Sequence, residues 1–550
     1  MEICGRGVGQ AGRRRALGWA ALALFGAAAP SAAQMPYVGL SSVGGQAFAS
    51  EDLFFYGPAG GEQFGYAVVA GDFNGDGIDD LATGIAFDHG FVGDPIPGCG
   101  AVVVRYGKPG GRLDPALADD FLNQLASGSP DPAEQSEMFG AALAAGDFNR
   151  DGIDDLAIGI PQNRTGAPTA GAVQIHYGRA GGIELAGTHI LLQGVAGVPG
   201  SPQNNNHFGQ ALASGDFDGD GHDDLAVGAP FDDVGAIVDA GTVTIFHGGA
   251  GGLLPFSGYL ISQGEAQIVD NPETSEYFGW TLETGDFDGN GYDDLAIGVP
   301  GEDGLGAAQV IFGSPFGLLF VNNQIYRQSD LGLGSLGGKF GLALASGDFD
   351  FDGYDDLAIA APQADLLVSG TLRQAVGVIS VLYGSNVGPP TWFNFAKTDY
   401  FHQGILYGAS AQQDYDQFGA ALAAGDFNSD GRDDLAVGHP GEDVGAAGSD
   451  RGGVTILTGS AEMGVGQYFR FFSPGIAGMP GIAQVGQAIG RVLATGDFDD
   501  NGHADLVLGA PWHDVAGIGG EVGAEVVFYG SLFADGLEGG STFAWSAAVP

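Results

Sequence analysis

The stretch Gly71-Asp72-Phe73-Asn74-Gly75-Asp76-Gly77-Ile78-Asp79-Asp80-Leu81-Ala82 recurs six more times along this 550-residue chain. The later copies begin at Asp147, Asp216, Asp286, Asp348, Asp426 and Asp497, spaced 62 to 78 residues apart. Self-similarity at a fixed period marks an architecture of stacked units, none of which can bury its apolar face alone. The unit here is about 70 residues long. An aromatic-glycine pair precedes each copy: Phe64-Gly65, Phe139-Gly140, Phe208-Gly209, Phe278-Gly279, Phe340-Gly341 and Phe418-Gly419, with Ile489-Gly490 in the seventh. A Gly-x-Pro-like corner follows, as in Gly228-Ala229-Pro230 and Gly509-Ala510-Pro511, while the first copy departs with Gly84-Ile85-Ala86.

Within a unit the pattern is that of strands. Ala101–Gly107, Ala172–Gly178 and Glu525–Gly530 are β-branched and aromatic runs that end at glycine, as strands do. No segment sustains a helical period. Each unit predicts about four short strands: one after Phe-Gly, one after the acidic stretch, one ending in Tyr-Gly, and one further on, such as His189–Gln193. Four strands repeated seven times predict an all-β fold, a seven-bladed β-propeller of four-stranded blades. A β-solenoid would have shorter repeats, and tandem sandwiches longer ones.

The acidic stretch reads as a calcium-binding loop in each blade. Counting Asp72 as position 1, oxygen side chains fall at positions 1, 3, 5 and 9, namely Asp72, Asn74, Asp76 and Asp80. Gly77 at position 6 permits a sharp turn, and the Ile78 carbonyl at position 7 supplies another oxygen. Hard oxygen donors at alternating positions suit calcium, which accepts six to eight of them. An EF-hand would need Glu at position 12, where Thr83 stands, and apolar alternation on either side places the loop between strands.

The corresponding sets are Asp147, Asn149, Asp151, Ile153, Asp155; Asp216, Asp218, Asp220, His222, Asp224; and Asp286, Asp288, Asn290, Tyr292, Asp294. They continue with Asp348, Asp350, Asp352, Tyr354, Asp356; Asp426, Asn428, Asp430, Arg432, Asp434; and Asp497, Asp499, Asn501, His503, Asp505. Position 8 is Asp in six copies, such as Asp79 and Asp154, but Ala504 in the seventh. Its side chain is expected to point away from the ion. Asp-Gly turns are common in hairpins; seven copies that all keep four oxygen positions are not explained by turn chemistry. The expected cofactor is calcium, up to seven ions.

Phe-Gly, acidic loop and Gly-Ala-Pro together resemble the FG-GAP repeats of integrin alpha-subunit propellers, and more closely those of bacterial secreted FG-GAP proteins. The likeness covers nearly the whole chain after its first segment. It implies that an amino-terminal strand completes the last blade, and Leu53–Tyr56 is the expected strand, with Thr542–Ser546 as its rival. It also implies that the acidic loops lie on one face of the ring and the connections after Gly-x-Pro on the other. Integrins carry the calcium loop in only some blades, whereas all seven copies have it here.

Organisation follows. Arg13-Arg14-Arg15, the apolar run Ala16–Ala29 and Pro30-Ser31-Ala32-Ala33 have the layout of a secretory signal peptide, giving a signal at 1–33, a linker at 34–50, the propeller at 51–530 and a tail at 531–550. The apolar run is too short to span a bilayer, so a secreted protein (extracellular, cell-surface or periplasmic) without membrane insertion is expected. With 18 Lys+Arg against 67 Asp+Glu and a net charge of −49, nucleic acid is a poor partner.

Catalytic patterns are missing from the sequence: there is no Gly-x-Ser-x-Gly elbow, His-Glu-x-x-His or phosphate-binding loop. Cys99 has no paired His nearby. The expected function is therefore a monomeric extracellular binding or adhesion module for a protein or glycan partner. A polysaccharide lyase on a calcium propeller and a sugar-binding lectin stand as alternatives. Aromatics beside acids after Gly-x-Pro, such as Phe231-Asp232-Asp233 and Trp512-His513-Asp514, are candidate sugar platforms, and Asn163-Arg164-Thr165 matches a glycosylation acceptor.

Overall fold

The computed structural model describes residues 45–49 and 63–530, apart from 88–97, 112, 114–119, 125–129, 131–134, 185–188, 266, 332–336, 369, 387–392, 409–410, 444–450, 462–463, 467–468, 474–487 and 513–522. Seven antiparallel four-stranded sheets account for nearly all regular structure. Blade one runs Phe64–Gly71, Asp80–Ile85, Ala101–Arg105, Asp120–Leu122, from the inside of the ring outwards. Blades two to six repeat that order, their inner strands being Ala142–Gly146, Ala211–Gly215, Thr281–Gly285, Ala343–Gly347 and Ala421–Gly425. Blade seven carries Val492–Gly496, Asp505–Ala510 and Ala524–Phe528. Neighbouring inner strands touch around the ring, and that of blade seven reaches that of blade one.

The sequence explains this layering. In Asp155–Ile160, every residue of Asp-Leu-Ala-Ile-Gly-Ile is buried. Such strands are covered on both faces by adjacent blades, so they read as continuous apolar runs and not as alternations. Small residues in Ala-Leu-Ala-Ala-Gly let inner strands crowd the axis. The Phe of each Phe-Gly pair is wholly buried, and its N–H reaches back to the preceding blade: Phe139 to the Cys99 carbonyl and Phe208 to the Ala170 carbonyl, each at 2.9 Å. The glycine of the Gly-x-Pro corner is set by close approach. A Cβ at Gly159 would lie 2.2 Å from the Gly209 carbonyl oxygen of the next blade, so no side chain fits there.

Blade seven is completed by an amino-terminal strand, as the resemblance implies, but not by the residues expected. Gly45–Ala49 pairs antiparallel with Ala524–Phe528, Gly45 facing Phe528 and Ala49 facing Ala524. These residues fall within 34–50, the segment expected to be a linker. The tetrapeptide 53–56 is the more apolar and β-prone, yet what selects an edge strand is the reach of the chain to a distant partner, which local composition does not encode. Residues 1–33, Leu53–Tyr56 and Thr542–Ser546 lie outside the described residues.

Candidate metal centres

Each acidic loop joins the inner strand of a blade to its second strand, with position 9 as the first residue of the latter. Position 1 organises the turn. In blade one, Asp72 Oδ1 accepts from the Gly75 and Asp76 N–H groups at 2.8 and 3.1 Å, and Oδ2 from Gly77 at 2.9 Å. The bond from the position-6 glycine recurs at Asp147, Asp216, Asp286, Asp348, Asp426 and Asp497 between 2.8 and 3.0 Å. That glycine has a positive φ, +94° at Gly77, a conformation that other residues adopt only with strain. Position 5 accepts from the N–H of position 7 in every loop, from Asp76 and Ile78 to Asn501 and His503.

Position 9 is the deepest group, at most 1 % exposed in all seven blades. Its Oδ1 accepts the N–H of the glycine that ends the third strand, as from Gly107 to Asp80 at 2.9 Å and from Gly313 to Asp294 at 2.8 Å. Its Oδ2 accepts the N–H of position 2, from Phe73 in blade one and Phe287 in blade four. Burial and the neighbouring loop acids push these carboxyls up: Asp80 and Asp155 to about 9, Asp434 and Asp505 to about 8. Asp224 is raised as well, and Asp294 and Asp356 lie well above the usual carboxylate range. Desolvation is the main cause throughout. Such a carboxyl favours a proton or a bound cation, since the backbone and amide donors around it offset only part of the cost of burying its charge.

The donor sets fit a hard cation, by position and by chemistry. Ligand atoms of Asp216, Asp218 and Asp220 lie within 4.8 Å of one another, as do those of Asp286, Asp288 and Asp294. The same holds for Asp348, Asp350 and Asp356, and for Asp497, Asp499 and Asp505. Asp350 Oδ1 is buried and makes no hydrogen bond. In blades one, two and six position 3 is Asn, and the Nδ2 groups of Asn74, Asn149 and Asn428 donate to the position-9 carboxylate. A half-turn of each amide would present its oxygen instead. When bound, calcium would supply positive charge at the centre of each loop and fix its turn; the chain's own oxygens hold it.

Two loops contain cationic partners that the repeat pattern did not reveal. Lys397, one of only three lysines in the chain, extends its ammonium from the outer strand of blade five to Asp350 and lies over the Tyr383 ring at 4.4 Å. His247 reaches the loop of blade three, with Nδ1 at 3.1 Å from Asp224 Oδ2. The sequence signal for His247 is a substitution, because His-Gly stands where four other units have Tyr-Gly.

Position 8 points away from the loop centre, as expected, and does a different task. Its carboxylate accepts the N–H of position 1 in the preceding blade: Asp72 to Asp154, Asp147 to Asp223, Asp216 to Asp293, Asp286 to Asp355, Asp348 to Asp433 and Asp497 to Asp79, at 2.8 to 3.0 Å. The backbone answers in reverse, as from the Asp154 N–H to the Asp72 carbonyl at 3.0 Å. Ala504 keeps the backbone bond to Asp426 without the side-chain one. Asp79, Asp154, Asp223, Asp433 and Ala504 line a cavity of about 340 Å³ at the axis. Burial first, then neighbouring acids, raises Asp223 to about 7 and Asp293 to about 6.

The proposed sugar platforms are engaged internally. Phe231 packs edge-on against His207, Tyr277 and Trp280, and the Arg491 guanidinium covers the Trp512 ring at 4.4 Å. Asn163 is fully buried, its Oδ1 accepting from the Thr165 N–H, which is incompatible with glycosylation in the folded state. Cys99 is buried too. His513 and Asp514 lie outside the described residues.

A sheet ring with an acidic loop at the same corner of every blade defines the class of repeat β-propellers. The chain is an FG-GAP repeat protein with an integrin alpha-like propeller: the FG-GAP repeat matches at residues 64–93, 139–176, 208–246, 278–311, 340–382, 418–457 and 489–527. Integrin alpha-PS2 of Drosophila melanogaster is 32 % identical over 263 residues, covering 44 % of this chain and 16 % of that protein. Integrin alpha-5 of Xenopus laevis is 31 % identical over 245 residues, 44 % of this chain and 20 % of its own length. Phosphatidylinositol-glycan-specific phospholipase D of Mus musculus is 25 % identical over 415 residues, 69 % of this chain and 43 % of that one. The matches thus span less than half the length of these relatives. Among solved structures, rhamnogalacturonan lyase YesW is 13 % identical with a TM-score of 0.38 over 93 % of this chain and 75 % of that one, a superposition too loose to carry a functional argument.

Proposed function

We propose that this protein is a secreted, calcium-stabilised propeller that works outside the cell as a binding or adhesion module for a protein or glycan partner. The observation that carries the reading is the sevenfold loop: seven oxygen-rich corners on one ring, each with a desolvated position-9 carboxylate that needs a counter-charge. The likeness to integrin alpha subunits supports a recognition role, and the basic-apolar-small residue order of 1–33 supports export. Among the described residues no helix is long and apolar enough to cross a membrane. The 35 loop residues named above are the proposed ligand set, calcium is the proposed ion, and the ring acts as a monomer. An acidic surface favours partners that are cationic or bridged by calcium.

A glycan array and an extracellular-protein array, each probed in calcium and after chelation, test the module. Retention in calcium that disappears on chelation is the expected outcome. Release of unsaturated products from an acidic polysaccharide would overturn the binding role in favour of a lyase.

A further inference from the structure

Blade three differs from the other six in what its third strand brings to the loop. Four of the strands end in tyrosine before the glycine: Tyr106, Tyr177, Tyr383 and Tyr529. Two of these rings turn outward, Tyr106 and Tyr383 bonding Asp120 and Asp399 of the outer strand through their hydroxyls. Phe312 and Thr458 fill the place in blades four and six. In blade three the residue is His247, and its ring turns toward the loop. Nδ1 lies 3.1 Å from Asp224 Oδ2 and 3.6 Å from Asp218 Oδ2. The backbone N–H of the adjacent Gly248 donates to Asp224 Oδ1 at 2.9 Å, fixing strand and carboxylate together. The imidazole is held by Tyr259, whose ring centroid is 5.7 Å away.

Ligand atoms of Asp218, Asp224 and His247 lie within 4.8 Å of one another, and Asp218 also groups with Asp216 and Asp220. One loop therefore offers a nitrogen donor together with four carboxylates. Calcium takes oxygen, whereas imidazole suits zinc and its first-row neighbours, for which a nitrogen donor adds affinity. His222, at position 7 of the same loop, places its own Nδ1 2.8 Å from Asp220 Oδ1, at the rim. The imidazole of His503, at position 7 in blade seven, lines the axial cavity.

We propose that the blade-three loop is a mixed nitrogen–oxygen site that takes a divalent transition ion of the zinc type in preference to calcium, with Asp218, Asp224 and His247 as its core ligands. The inference rests on the reading of these loops as cation sites, but its selectivity is measured separately from theirs. Six loops then take calcium, and in that of blade three a transition ion replaces calcium when one is available.

The test uses the full chain, stripped with chelator and dialysed against calcium in roughly hundredfold excess over zinc. Elemental analysis of the desalted protein counts both metals. The expected result is about one zinc per chain retained against calcium, with calcium in the remaining loops. His247→Tyr, which installs the residue of blades one, two, five and seven, is expected to lose the zinc and keep the calcium. His247→Gln serves as a second variant, and an unchanged circular dichroism spectrum identifies a folded protein. Cobalt substituted for zinc should give a visible absorption band that disappears in both variants. No retained zinc, or equal zinc in wild type and variants, overturns the proposal. A zero calcium count with zinc retained would instead overturn the calcium reading of the other loops and leave this one standing.

Discussion

Arg105 at the end of the third strand of blade one forms an ion pair with Glu525 of blade seven, 420 residues further along the chain, and both side chains are fully buried. Thr83 Oγ1 donates to the other carboxylate oxygen of Glu525 at 2.9 Å, and the Arg105 guanidinium lies over the Phe64 ring at 5.2 Å. The seam between first and last blades is thus held by a desolvated charge pair set among apolar residues. Removing one member leaves a buried charge unbalanced, which costs about 3–5 kcal/mol, while replacing both with apolar residues of similar volume is often neutral. Glu525→Leu alone is expected to lower the denaturation midpoint sharply, and Arg105→Met with Glu525→Leu to recover most of it. Urea unfolding of the four proteins of the cycle gives the comparison; equal losses in single and double variants would show that the pair does not act as a unit.

The position-8 contacts form a chain of side-chain bonds between blades that stops at Ala504. Deleting one neutral-donor bond of this kind costs about 1 kcal/mol. Asp154→Ala should therefore lower stability by roughly that amount, without changing the number of ions bound. Ala504→Asp is expected to add a carboxylate acceptor for the Asp426 N–H and give a gain of at most about 1 kcal/mol. Calorimetric unfolding in saturating calcium would register both.

Calcium should raise the melting temperature of chelator-treated protein. At an ion concentration ten times Kd each site contributes about 1.4 kcal/mol. Asp294→Ala in blade four removes a ligand and the acceptor for the Phe287 and Gly313 N–H groups. It is expected to reduce the calcium count by one site and the stability by about 2–4 kcal/mol. A melting temperature indifferent to calcium would remove the structural role assigned to the loops.

Asp416 carries a pH dependence of its own, away from the loops. It is fully buried, its Oδ2 accepts from the Gln413 N–H at 2.7 Å, and its Oδ1 makes no hydrogen bond. Burial, then the charges of Glu442, Asp443 and Asp414, pushes its carboxyl up to about 9. Blade four balances its comparable acids with Arg327, which pairs with Asp270, Glu302 and Asp303; in blade six Ser473 follows the outer strand where Arg327 follows it in blade four. The unfolded chain releases the Asp416 proton near pH 4 and the folded chain near pH 9, so between them the folded state binds more protons and stability falls as pH rises. Asp416→Asn should flatten that fall: little difference from wild type at about pH 4, and a gain of about 1–3 kcal/mol at about pH 8. Chemical unfolding across this range in saturating calcium decides it, and parallel profiles would count against the protonated carboxyl.

Seven copies made the ring and its acidic corners legible, since a pattern repeated at positions 1, 3, 5 and 9 reports its own spacing without any neighbour. The side chains that break the sevenfold equivalence were harder to read. Lys397 meets Asp350 from a strand 47 residues on, and its register depends on a bulge between Leu382 and Gly384. The cover on Trp512 is not legible locally, because Arg491 precedes the inner strand of blade seven while Trp512 follows its second strand. Gly45–Ala49 could not be preferred over Leu53–Tyr56 by propensity, because glycine and alanine are weak strand formers and the pairing is decided at the opposite end of the chain.

Closure by Gly45–Ala49 also orders events in time. The strand that finishes the ring is made among the first, while its partner, Ala524–Phe528, is made among the last. Six blades can form as the chain emerges, but the seventh keeps a bare edge until both ends meet, and contacts of such long sequence separation form slowly. An unfinished ring is therefore open to edge pairing with a second unfinished ring. The chain's vulnerable period is the interval between synthesis of its first strand and its last.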